Sequence, residues 1–88
     1  MGKGKLRKAD QMAAEVENLC ANATYSAKLG ASERATLSLA SASSHLNELK
    51  SYIVRQKAAG VSEGTALELG NRYNAARQAY NEARGQTE

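Results

Sequence analysis

The stretch LSLASASSHL, residues 37–46, decides the fold because it reads in two ways. Taken in twos, Leu37 and Leu39 alternate with serines as on a half-buried strand. Taken as a run of small residues it reads as a linker. The spacing beyond it settles the matter. Ala35, Leu39, Ala42, Leu46, Leu49, Ile53 and Gln56 recur by fours and threes, the period of one face of a helix. The stretch therefore belongs to a helix, and Leu37 faces away from Leu39 because residues two apart do not share a helix face.

The same period extends to both sides. Leu6, Ala9, Ala13, Val16, Cys20, Ala23 and Ala27 form a first series, widened by Met12 and Leu19. Ala66, Leu69, Tyr73, Ala76, Tyr80 and Ala83 form a third. Two short interruptions separate them. In KLGASER, residues 28–34, Gly30 suits the left-handed conformation that closes a helix, and Ser32 is a candidate cap for the next. In AAGVSEG, residues 58–64, Gly60 terminates and Ser62 caps, with Glu63 beside the cap. The chain has no proline to break the segments.

These signals predict an all-α fold over residues 1–88 as a single domain, with helices at about 6–29, 32–59 and 63–84. Residues 1–5 read as a basic flexible head and 85–88 as a frayed tail. Short connections favour antiparallel neighbours, and heptad-like spacing favours shallow crossings. The expected architecture is a compact antiparallel three-helix bundle, or a long helical hairpin with a third helix laid on it. Gly64 and Gly70 weaken the third helix.

The seams are thin. Nine of the 20 seam positions are alanine, which permits close helix approach and contributes little apolar area. A chain of 88 residues with such an interior is expected to be marginal alone and to gain from a partner or a second copy. A second series on the middle helix, Leu37, Ala40, Ser44, Asn47, Ser51 and Val54, offers a back face. Leu37, Tyr52 and Val54 are the candidate partner contacts, with Tyr25 and Leu67 as secondary ones and Leu29 extending the same surface, because they fall off the main stripes. A homo-oligomer or a protein partner is the expectation. In composition alone the chain resembles small Ala-rich helical regulators of bacteria and their phages.

The net charge of +3 resides in residues 1–10, where Lys3, Lys5, Arg7 and Lys8 oppose Asp10. That head could contact phosphates. Residues 58–77 also admit a helix-turn-helix reading, with Arg72 and Arg77 among side chains that can reach bases. Nucleic acid is thus the alternative partner, although Glu63, Glu68 and Glu82 lie along the same helix.

Chemical motifs are scarce. Ser41, His45 and Glu48 share a helix face in an order resembling Ser-His-acid. A regular helix supplies neither an oxyanion hole nor a strained nucleophile turn, so no catalytic residue is assigned. Cys20 is the single cysteine and sits in a seam, which suits an inert buried thiol in a reducing, cytoplasmic setting. No disulfide, metal site, cofactor or small-molecule substrate is expected. MGKGKL opens like a myristoylation signal but has Leu6 where Ser or Thr is required. No signal-peptide pattern or membrane-spanning run is present, and no membrane association is expected.

Overall fold

Two glycines set the topology. The computed structural model describes residues 2–87, with side chains described from residue 4 onward. Its three helices are α1 (Gly2–Lys28), α2 (Ser32–Ala58) and α3 (Glu63–Thr87). Gly30 and Gly60 follow α1 and α2 with φ of 79° and 90°, the left-handed region that glycine enters without a Cβ clash. Each organises the same closure. Ala31 N–H donates to the Ser26 carbonyl at 2.9 Å and Gly30 N–H to that of Ala27 at 3.1 Å. After α2, Val61 N–H reaches the Gln56 carbonyl and Gly60 N–H that of Lys57. These paired bonds are the Schellman arrangement, which satisfies carbonyls that a helix end leaves open. Val61 then packs partly against the core, the apolar contact that accompanies such an end.

The helix starts differ from each other. Ser62 caps α3 as expected: its Oγ accepts the Thr65 N–H at 3.2 Å. Ser32 does not cap α2. The cap position falls on Ala31, with no side-chain bond, because the tight closure around Gly30 makes Ser32 the first helical residue. The Ser32 carbonyl instead accepts the Thr36 hydroxyl at 3.0 Å.

α1 also begins earlier than the sequence suggested. It starts at Gly2, so residues 2–5 are helical and not a head apart from the fold. Nothing in GKGK is strong enough to stop a helix, and the Lys5 carbonyl accepts a hydrogen bond from the Tyr52 hydroxyl at 3.1 Å. That bond holds the first turns of α1 against the last turns of α2. Similarly, α3 continues to Thr87, past the expected end near residue 84. Met1 and Glu88, at the outer ends of the expected head and tail, lie outside the described residues.

Cross-helix contacts fix an up-down-up order. Lys5 meets Tyr52, Glu15 meets His45 at 2.9 Å, and Asp10 meets Arg72 at 2.8 Å. All three helices pack against one another; α1 shares its largest interface with α2, and the α2–α3 seam is the thinnest. The result is an antiparallel three-helix bundle, a rod with extents of 46 × 17 × 16 Å. Helices of 27 residues, at 1.5 Å per residue, account for the long axis.

The interior follows the predicted seams closely. Val16, Leu49 and Leu69 are the largest fully buried side chains, and alanines 9, 13, 23, 35, 42, 76 and 83 are buried with them. Cys20 is buried in the α1 seam. Two residues enter the interior from outside the predicted stripes, Ser26 and Tyr52. Among the described residues no buried side-chain nitrogen or oxygen lacks a hydrogen-bond partner, as close-packed interiors require.

Candidate interaction surfaces

Among the described residues five large apolar side chains stay in solvent: Tyr25, Leu29, Leu37, Val54 and Leu67, each between 58% and 70% exposed. All five are residues that the sequence placed off the main stripes, Leu29 as an extension of the partner surface and the other four as candidate contacts. Leu37 is the most exposed and borders a shallow concavity with Ser32, Glu33 and Thr36 beside the α1–α2 turn. The residues between Leu37 and Val54 on the back series, Ala40, Ser44, Asn47 and Ser51, are all exposed. Neither α1 nor α3 therefore covers that side of α2.

Tyr52 does not belong to this set. It is only 5% exposed, its ring packs in the core and its hydroxyl donates to the Lys5 carbonyl. The phenol solves both halves of its burial, with apolar area inside and a satisfied polar tip. Its spacing of three from Leu49 was the available signal, since it puts Tyr52 beside the seam and not behind it.

The charged candidates separate as clearly. Arg72 is held between two carboxylates: Nε donates to Asp10 at 2.8 Å and Nη1 donates to Glu68. Hydrogen bonds to Glu68 first, and to Asp10, push its guanidinium above the ordinary arginine value. It clamps α3 to α1 and is not available for phosphate contacts. Arg77 is exposed on a polar face shared with Asn74, Gln78, Asn81 and Glu82. Lys5 is half-buried, and Arg7 and Lys8 are exposed. Lys3 lies on α1, with its side chain outside the described residues.

A second groove runs between α1 and α2. Lys8 and Met12 form one wall; Asn47, Glu48, Ser51, Tyr52 and Arg55 form the other. The Lys8 ammonium stands 5.2 Å from the centroid of the Tyr52 ring, a cation–π distance. The sequence did not single out Arg55, because only the register between α1 and α2 brings it opposite Lys8.

The Ser41, His45 and Glu48 set is not assembled as a relay. His45 Nδ1 meets the backbone carbonyl of Ser41 at 3.1 Å, and Nε2 meets the Glu15 carboxylate on α1 at 2.9 Å. The imidazole links two helices and leaves Ser41 Oγ without an activating base. Cys20 is buried, and burial first, with the nearby Glu17 charge, raises its thiol above the usual value. The protonated form of such a thiol is a poor nucleophile. Among the described residues no three His, Cys, Asp or Glu side chains group as metal ligands, and no helix is long and apolar enough to cross a membrane.

No protein-family model, curated protein or solved structure matches this chain.

Proposed function

We propose that this protein is a non-enzymatic helical binding module that acts on a larger protein as a regulator, adaptor or inhibitor, or that pairs with a second copy of itself. The observation that carries this reading is the inverted distribution of bulk. Among the described residues five large apolar side chains lie in solvent, while half of the 14 buried hydrophobic residues are alanines. Scattered exposed aliphatics are ordinary on protein surfaces. Here they accompany an interior with little area to spare, so covering them has unusual energetic leverage. Leu37 is the leading contact, with Val54, Tyr25 and Leu67 as further ones. The single buried cysteine suits work in a reducing compartment such as the cytoplasm.

Sedimentation velocity over a micromolar concentration series tests self-association, and affinity purification from the native source tests a larger partner. Leu37→Asp is expected to dissociate the dimer, or to release a captured partner, while leaving the helical content unchanged. A chain that stays monomeric and has no partner sensitive to Leu37→Asp would sink the reading.

A further inference from the structure

We infer that the groove between α1 and α2, at the end of the rod where α2 turns into α3, binds the phosphate backbone of nucleic acid. Folding creates the site by bringing together two basic segments far apart in sequence. The first turns of α1 carry Lys5 and Lys8, and the last turn of α2 carries Arg55. The bond from Tyr52 to the Lys5 carbonyl holds these segments side by side. None of these three cations has a carboxylate partner among the described residues. Three acids on α1 and α3 are engaged elsewhere, whereas Glu48 in the groove lining has no ion-pair partner among the described residues. Asp10 and Glu68 are taken by Arg72, and Glu15 is taken by His45.

Lys8 from α1 and Arg55 from α2 line the same groove, and Asn47 and Ser51 line the α2 wall with Arg55. Lys5 precedes Lys8 by three residues and so continues the same flank of α1. An ammonium and a guanidinium on the two walls, with neutral donors along one of them, form the donor set that phosphate oxygens accept. Glu48 is the one acid in the lining, and it opposes the ligand.

The lining also selects the class of partner. Protein partners are held chiefly by apolar and aromatic anchors, and this groove offers only Met12 and a tyrosine ring already covered by Lys8. Insertion into lipid needs an apolar face beside the cations, whereas Val54 and Leu67 stand outside the groove. Phosphate contacts need neither, because displaced counterions supply the driving force. The ligand is therefore the sugar-phosphate backbone, bound with little regard to sequence.

Fluorescence anisotropy of labelled random-sequence single strands and duplexes, with the full chain titrated at stepped salt, tests this. Binding is expected at about 50 mM salt, with a slope of roughly −2 to −3 in log K against log salt for three phosphate contacts. The double variant Lys8→Glu/Arg55→Glu is expected to weaken it by at least about tenfold. Arg77→Gln is expected to leave it unchanged, since Arg77 lies on another face. Glu48→Gln is expected to tighten it, which guards against a charge-reversal variant that fails to fold. Circular dichroism accompanies each variant. Three results would overturn the assignment: no binding at the lowest salt, full binding by a folded double variant, or a stronger response to polyglutamate or to anionic lipid vesicles than to either strand.

Discussion

The two ends of the rod follow opposite designs. At the end where α2 turns into α3, the interior holds Leu49, Tyr52, Ile53 and Leu69, and the surface is cationic. Polar ties reinforce it: Tyr52 to Lys5, Arg72 to Asp10 and the Ser62 cap. At the end where α1 turns into α2, the buried residues are Ala23, Ser26, Ala35 and Ala83, while Tyr25, Leu29 and Leu37 stand in solvent. Buried bulk is concentrated at one end and buried residues are small at the other, while exposed apolar side chains stand at both, Val54 and Leu67 at the first. The comparison teaches that one heptad-like pattern can build both, because the period chooses the face and the side-chain volume at each position decides how much that face stabilises.

The largest test of this contrast is to exchange the two packings. Leu49, fully buried at the bulky end, is expected to lose about 2–5 kcal/mol on truncation in Leu49→Ala, the range for opening a cavity. Ala23, fully buried at the thin end, has no room for the converse change if the helices there are in close contact. Ala23→Leu is then expected to cost about 1–3 kcal/mol through overpacking. Urea denaturation followed by circular dichroism measures both. A gain in stability from Ala23→Leu would break the comparison, since it would mean that the thin end is loosely packed and not closely packed.

The polar ties provide a smaller and sharper test. Tyr52→Phe keeps the ring and removes the hydroxyl that donates to the Lys5 carbonyl. The expected loss is about 0.5–1.5 kcal/mol, the net worth of one intramolecular hydrogen bond. Because the bond secures the start of α1, amide exchange there should accelerate more than in the middle of α2. Uniform acceleration along the chain would show that the tie is not local.

Much of this architecture is legible in the amino-acid order, for reasons that differ by residue. Gly30 and Gly60 mark the turns because only glycine enters the left-handed region without strain, and both take it. Cys20 and Leu49 fall in spacing series long enough to name a buried face. The Glu68–Arg72 pair is visible because both residues lie on one helix, four apart. The contacts that escaped sequence reasoning all cross between helices: Asp10 with Arg72, Glu15 with His45, and Arg55 opposite Lys8. Periodicity reports which side of a helix faces inward; it carries no information on how far one helix is shifted along its neighbour. That shift alone turned Arg72 from a candidate phosphate contact into a clamp; for Tyr52 the spacing from Leu49 already pointed to the seam, and the shift supplied the Lys5 carbonyl for its hydroxyl. Ser32 failed as a cap for a local reason, a closure one residue tighter than its sequence position implied.

The smallest effect has the opposite sign and concerns the helix that completes both ends. Gly70 lies inside α3, and a Cβ built there meets nothing within 4 Å. Its backbone is ordinary helix with no positive φ, so alanine fits without strain. Glycine at such a site loses more freedom on folding than alanine does. Gly70→Ala is therefore expected to stabilise the protein by roughly 0.5–1 kcal/mol, seen as a higher melting temperature. Gly30→Ala makes the necessary contrast. It too has open space around its Cβ, yet its φ of 79° resists a side chain, and it should lower the melting temperature. If both substitutions moved stability in the same direction, backbone conformation would not be what separates a glycine that closes a helix from one that only weakens it.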